Sequence, residues 1–464
     1  MRLRSLAIIV FLLACLSSQV WSALPEYVVT DVGTLGRDGW AESVNNLGQV
    51  VGGSYANVPG LSTGSYFLRA FRWDRLGGMT DLGTLGAYTA TAYGINDAGQ
   101  VAGYSDIGQH RPHGFIWQDG VMSDLGCPPT WRSLIPTAIN NRGQVVGYAT
   151  TLDWHSRAFL WQNGVMTELT PPAGCQDASA NDINDLGQVV GWALAIGTRP
   201  RAIIWENGQP REVGALPGYT GSAAYHINNR GQITGVSYGL PATSAVGCCC
   251  LWENGTVTDL RAASGTLLQR FCAINDKGTI VGPPPDRGRP HVWRDGSWLN
   301  LNRLIAQDSG WQITSARDIN NRGQIAGSGV YNGEERVCLL TPYIRVAVDI
   351  RPGSRVNPIN LGARGLVPVA ILGAADFDPR EVDPASVLLA GAPVAKRPFG
   401  RTRYMARMMD VNHDRIKDLL LLIVNEELNL QPGDTKAVLT GTTYDGSPIT
   451  GEDSVKVIVP RGKR

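Results

Sequence analysis

Three ionisable side chains recur at one position of a repeated phrase. Asp182, His226 and Asp318 each stand two residues before an Asn that opens a Gly-containing turn, and Ser43, Gly94, Ala138 and Ala273 hold that place in the other copies. Two carboxylates and an imidazole gathered at one cleft could cleave a glycosidic bond, with one acid protonating the leaving oxygen and the other serving as base or nucleophile. The competing reading is that these groups line a wet channel and bond to backbone and water. No nucleophile elbow, zinc motif or phosphate loop accompanies them, which favours the non-catalytic reading.

A second oxygen-rich set lies near the C-terminus. Asp410-x-Asn412-x-Asp414-x-x-x-Asp418 puts oxygen side chains at loop positions 1, 3, 5 and 9, with the Ile416 carbonyl at position 7. These are the donors that a hard cation such as Ca²⁺ takes, here in a structural role. Arg415 stands where such loops place Gly, and Leu421 replaces the bidentate Glu at position 12. A plain Asx-rich turn capped by its own side chains is the alternative.

Removal of Cys15 with a signal segment would leave seven cysteines, an odd number, at Cys127, Cys175, Cys248, Cys249, Cys250, Cys272 and Cys338. Cys127 and Cys175 fall in comparable loops of consecutive repeats, which allows a disulfide between them. Cys248, Cys249 and Cys250 sit on one expected strand, where alternation puts Cys248 and Cys250 on one face and Cys249 on the other. Without a Cys-x-x-Cys partner or a nearby His they read as buried or disulfide-bonded rather than as zinc ligands or a catalytic thiol.

The elements that must carry these residues follow from the repeat. Its first Asn falls at Asn45, Asn96, Asn140, Asn184, Asn228, Asn275 and Asn320, at intervals of 51, 44, 44, 44, 47 and 45 residues. Such a period holds about four short strands that cannot bury their faces alone, the signature of a β-propeller. In the third copy, strands are expected at 137–140, 144–148, 157–161 and 165–169. Two-residue hairpins are expected at Asn163-Gly164 and again at Asp119-Gly120, Asn207-Gly208, Asn254-Gly255 and Asp295-Gly296. Trp73, Trp117, Trp161, Trp205, Trp252 and Trp293 end the third strands, with Leu340 in the seventh copy. A place filled by Trp in nearly every repeat reads as packing between neighbouring sheets. The last copy lacks a fourth strand, and Tyr-Val-Val-Thr-Asp-Val-Gly at 27–33 supplies the missing pattern at the other end of the chain. The expectation is a seven-bladed propeller closed by its N-terminal strand, which leaves no exposed sheet edge.

The chain has 464 residues, 56 of them Gly, with 17% charged and 43% apolar, a composition suited to an all-β extracellular protein with more than one domain. Met-Arg-Leu-Arg, an apolar run over 6–16 and a small-residue exit near Ser22-Ala23 read as a signal peptide spanning 1–22. Leu-Leu-Ala-Cys at 12–15 resembles a lipobox, so acylation at Cys15 is the alternative to ordinary cleavage. Removal of Arg2 and Arg4 leaves 39 basic against 40 acidic residues, with no basic patch to recruit nucleic acid. No later apolar run is long enough for a transmembrane segment.

The unit Asp-Leu-Gly-Thr-Leu-Gly (81–86), Ile-Asn-Asp-x-Gly-Gln-Val (95–101), His-Gly-Phe-Ile-Trp (113–117) and Gly-Val-Met (120–122) resembles the HAF repeat of secreted bacterial proteins. The resemblance covers about 27–341 and carries no assigned activity. The triplet that names the family appears as Arg69-Ala70-Phe71, His113-Gly114-Phe115, Arg157-Ala158-Phe159 and Arg201-Ala202-Ile203, so its first position is not a fixed catalytic base.

After residue 343 the period stops. Expected strands at 344–350, 366–372, 386–390, 418–424, 436–441 and 454–459 describe an immunoglobulin-like β-sandwich over 343–464. The stretches at 348–353, 357–361 and 368–373 are similar to a C-terminal module that recurs in secreted and surface proteins of prokaryotes. The sequence thus describes a secreted, periplasmic or cell-surface protein, with the propeller over 25–342 and loops of varied length, such as 56–67 and 240–247, on a rigid frame. The expected function is non-catalytic binding to an extracellular polysaccharide or protein; the alternative is a polysaccharide-active hydrolase or lyase. The oligomeric state is left open.

Overall fold

The computed structural model describes residues 26–57, 66–108, 111–239, 247–260, 272–282, 289–361, 363–397 and 404–459. The expected signal segment, Cys15 and most of the two variable loops at 56–67 and 240–247 lie outside the described residues. Among the described residues the regular elements are β-strands and three short 3-10 turns, at Leu301–Arg303, Pro379–Glu381 and Asn425–Glu427.

One repeat shows how the sequence builds a sheet. Trp131–Ile139, Val145–Thr151, Ser156–Gln162 and Val165–Glu168 pair in chain order as an antiparallel meander. The first strand begins six residues before the expected 137, because Trp131 and Leu134 are buried and Pro136 sits beside a register shift where a missing N–H is tolerated. The same shift recurs between Ala41 and Ser43, Ala92 and Gly94, Ala180 and Asp182, Ala224 and His226, and Ala316 and Asp318. Each is a bulge that brings the first strand's backbone down onto the Gly of the second strand. A Cβ on Gly147 would run into the Ile135 carbonyl, and one on Gly191 into that of Ser179, which explains the second Gly of the repeated phrase.

The hairpin turns are as expected. Asn163 and Gly164 have φ of 50° and 84°, and the Asp119, Asn207, Asn254 and Asp295 turns match them. A further Asn332-Gly333 turn, at 51° and 87°, links the second and third strands of the last repeat.

Residues 27–342 form seven four-stranded antiparallel sheets among the described residues. The last of these is completed by the N-terminal strand: Tyr27–Gly33 pairs with Glu334–Pro342, with Val29 opposite Leu340 and Thr30 opposite Leu339. The first strands of the sheets touch one another in cyclic order, so they are innermost. An apolar seam fills each gap between neighbours. One such seam joins Val146, Ala158 and Leu169 to Ala180, Ile203 and Trp205, and another joins Val44, Phe71 and Trp73 of the first sheet to Ala326, Val337 and Leu339 of the last. Trp73, Trp117, Trp205 and Trp252 are buried in these seams, in keeping with the packing role.

The C-terminal unit has two principal sheets. One orders Ile344–Arg345, Pro448–Ser454, Lys436–Thr442, Leu388–Leu389 and Ala392–Pro393; the other orders Val348–Ile350, Leu366–Ile371, Asp418–Val424 and Ala406–Met409. Ile350, Val369, Ile371, Leu421, Ile423, Leu439 and Ile449 share one core between them. The strand expected at 386–390 is only Leu388–Leu389, and that expected at 454–459 is Lys456–Ile458, which pairs in parallel with Pro358–Asn360.

Candidate functional site

The first strands bring the repeated polar residues together around a recess, and its frame is the repeated Asn. All seven are buried. The Asn140 Oδ1 accepts from the Arg142 and Gln144 amides, both at 3.0 Å, while its Nδ2 donates to Gln144 Oε1 at 2.8 Å and to the Asn184 carbonyl of the next sheet at 3.0 Å. A buried carboxamide with all its capacity used explains why the position is Asn, since Asp would set an oxygen against that carbonyl. The inter-sheet bond recurs from Asn45 through Asn275, and Asn320 Nδ2 closes the circle on the Asn45 carbonyl at 2.8 Å.

The residue after each repeated Asn forms a second ring, at the channel mouth. In order it is Asn46, Asp97, Asn141, Asp185, Asn229, Asp276 and Asn321. Each backbone N–H donates to the next side chain around, from Asn46 to Asp97 Oδ1 at 2.8 Å through to Asn321 to Asn46 Oδ1 at 2.9 Å. Each carboxylate is further held by both flanking carboxamides: Asp185 Oδ2 accepts from Asn141 at 3.0 Å and Asn229 at 3.2 Å. Sequence reasoning passed over this ring, although Asn or Asp at that place in every copy was the available signal. The recess that it rims has a volume of about 170 Å³, below the roughly 300–1,000 Å³ of ordinary ligand pockets.

Deeper in the wall stand the three residues singled out for chemistry. His226 Nδ1 is 3.6 Å from Asp182 Oδ2, and Asp318 lies within the range of their charges. Both carboxylates, however, are committed to backbone. Asp182 accepts from Ile183 N–H at 2.8 Å and, through Oδ2, from Ile227 N–H of the next sheet at 2.9 Å. Asp318 accepts from Ile319 N–H at 2.8 Å, from Val44 N–H at 2.9 Å and from Ser43 Oγ at 2.8 Å, which bridges the last sheet to the first. Burial disfavours the His226 imidazolium, but the Asp182 carboxylate and the more distant Asp318 outweigh it and raise the pKa. Burial raises the Asp318 pKa despite the amides and His226 that favour its ionised form. Glu42 is likewise pushed up by burial, with the Arg317 charge opposing.

The remaining candidates are arranged as follows. Cys127 Sγ lies 3.6 Å from the Trp131 carbonyl and Cys175 Sγ 3.2 Å from Arg201 Nη2, and the two pack in different seams. Cys248 and Cys250 share one seam and Cys249 enters the next, as alternation requires. Several oxygens of the 410–418 loop accept from its own amides, while Asp410 Oδ1 is buried without a hydrogen-bond partner. Asp414 Oδ1 accepts from Ile416 N–H at 2.7 Å, Asn412 Oδ1 from Asp414 N–H at 3.2 Å and Asp410 Oδ2 from Arg415 N–H at 3.1 Å. Asp418 is fully buried, its oxygens taken by the Gly373 and Val411 amides at 2.9 and 2.7 Å. Among the described residues no three carboxylate, His or Cys side chains converge on a metal position.

In a four-stranded meander the loops between second and third strands lie at the end opposite the Asn turns. Several exposed apolar side chains stand there: Ile107 is 39%, Leu152 59%, Trp154 71% and Ile196 78% exposed. Trp154 has a φ of 68° and carries the Arg132 guanidinium 4.3 Å from its ring centre. At the turn end, Arg75 reaches the Gly446 carbonyl and Arg322 lies 3.8 Å from Asp445, both in the C-terminal unit.

No family model matches the chain, and no curated protein matches it. Among solved structures it is similar to TolB from Acinetobacter baumannii, at 13% identity and a TM-score of 0.36 over 63% of each chain. It is also similar to the β-propeller domain of the Trilobed protease from Pyrococcus furiosus, at 12% identity and a TM-score of 0.45 over 68% of this chain and 93% of that one. A puromycin-hydrolyzing peptidase from Mycobacterium tuberculosis matches at 13% identity and a TM-score of 0.44, over 75% of this chain and 62% of that chain. No helix among the described residues is long and apolar enough to cross a membrane. What stands is an all-β chain of propeller-type repeats.

Proposed function

We propose that the chain is an exported, non-catalytic binding protein. It would consist of a seven-bladed β-propeller of HAF-like repeats with an immunoglobulin-like sandwich at its turn end, and its opposite loop face would meet an extracellular polysaccharide. The observation that carries this reading is the use made of the channel carboxylates: Asp182 and Asp318 spend their oxygens on backbone amides that join one sheet to the next. Groups fixed in that way are poor proton shuttles, and the small recess at the mouth admits water rather than a chain of sugars. The loop face, by contrast, offers Trp154 as an exposed stacking surface on a rigid frame.

A second reading rests on the His226–Asp182 contact at 3.6 Å, which could serve a hydrolase or lyase. Glycan-array binding and product analysis on the same purified full chain separate the two. Binding weakened at least tenfold by Trp154→Ala, with no products released, supports the first. Turnover abolished by Asp182→Asn in a protein that still melts cooperatively supports the second, and binding of protein ligands alone would replace the polysaccharide as partner.

A further inference from the structure

We propose that Cys249 and Cys272 form a disulfide that ties the fifth sheet to the sixth. The two sulfurs face each other at 2.7 Å across the seam between these sheets, and both residues are buried, at 0% and 2% exposure. Strand alternation selects the pair. Cys249 is the middle residue of its triplet and the one directed into this seam; Cys248 and Cys250 point the other way, toward Asp259 Oδ1 at 2.8 Å and Ser237 Oγ at 3.3 Å.

The position of the link has a structural reason. In the sixth sheet Thr279 stands where the other copies carry the Gln that braces the repeated Asn. Cys272 immediately precedes the strand Ala273–Ile274. A covalent link there pins the strand to the neighbouring sheet at the copy that lacks this brace, and it restricts the unfolded chain across the 249–272 loop.

The chemistry requires a disulfide donor, either a thiol-oxidising protein or a small-molecule disulfide. One cysteine thiolate attacks the donor's S–S bond and releases one donor sulfur as thiolate; the second cysteine then displaces the other. The two protein thiols lose two protons and two electrons, and the donor is reduced to two thiols. The Cys272 sulfur and burial hold the Cys249 thiol well above its ordinary pKa, so the exchange belongs to folding, before the seam closes, and the finished bond is shielded from reductant.

Peptide mapping of the full chain tests this. The protein, refolded in a mixture of oxidised and reduced glutathione, is denatured with an alkylating agent but no reductant, then digested and analysed by mass spectrometry. The expected result is a linked pair joining the Cys248–Cys250 peptide to the Cys272 peptide, two hydrogens lighter than the free thiols, with Cys127, Cys175 and Cys338 alkylated. Cys249→Ser should abolish the link, and Cys248→Ser and Cys250→Ser should each retain it. Complete alkylation of Cys272 in the wild-type chain, or a link that survives Cys249→Ser, would overturn the proposal.

Discussion

Asn320 donates from Nδ2 to the carbonyl of Asn45, 275 positions earlier in the chain, at 2.8 Å. The bond has the same geometry as the six between consecutive repeats, so the junction of the chain's two ends is built like every other junction. Ser43 and Val44 reinforce it by donating to Asp318.

The repeated Asn should therefore be costly to remove at any copy. In Asn228→Ala, the Arg230 and Gln232 amides and the Asn275 carbonyl lose their partner. The expected loss is about 2–4 kcal/mol, measured by denaturant unfolding. Asn228→Asp should lose as much at neutral pH and recover part of it in acid, where the added carboxyl is protonated. A loss within about 0.5 kcal/mol, typical of an unconstrained surface site, would contradict the assignment.

The second-strand Gly makes a separate demand. Gly191→Ala drives a methyl into the Ser179 carbonyl at the bulge, so destabilisation of about 3 kcal/mol is expected. Gly197→Ala, in a loop where an added Cβ has open space around it, is a milder change whose cost comes from its φ of 71° alone. Thermal melts of the two variants should be clearly separated, and equal melts would refute the close approach.

His226 predicts a pH dependence. Its folded pKa lies above the ordinary 6.5, so the protonated form contributes stability that is complete below pH 6.5 and lost as pH rises through the folded value. Asp318, also raised, acts in the same direction from about pH 3.8 upward. The melting temperature should fall on going from pH 6.5 into mildly alkaline solution, and His226→Gln should flatten that fall. An NMR titration placing the His226 midpoint at or below 6.5 would reverse the sign and reject the pairing.

For the 410–418 loop, the hydrogen bonds within the turn lead to a plain expectation. Calorimetric titration of the full chain with calcium chloride should give no stoichiometric heat, because Asp414 and Asp418 would have to release amides that they hold at 2.7–2.9 Å. Saturable heat at one equivalent would show that the loop reorganises into the cage its spacing describes.

The sequence made most of this architecture legible because its local rules agree. The Asn-Gly hairpins, the period near 44 residues and the orphan pattern at 27–33 each lead to the same closed ring. The site was less legible. Asp182, His226 and Asp318 lie on the first strands Asp177–Ile183, Gly221–Ile227 and Trp311–Ile319, but residue type alone does not reveal that the carboxylates are spent on amides of the next sheet. Spacing drew attention to the 410–418 loop, but residue type does not reveal which of its oxygens accept from its own amides. Cys127 and Cys175 pack in seams on opposite sides of the third sheet, which comparable places in consecutive repeats do not reveal. Cys249 and Cys272, less alike in register, meet across a single seam.

Amide hydrogen exchange tests the closed ring most directly. Residues 27–33 and 337–342 should be protected to the same degree as residues 165–168 and 159–162 in the third sheet, since they occupy the equivalent ladder. Exchange of 27–33 at the rate of unstructured chain, with the other sheets still protected, would show that the N-terminal strand does not complete the last sheet.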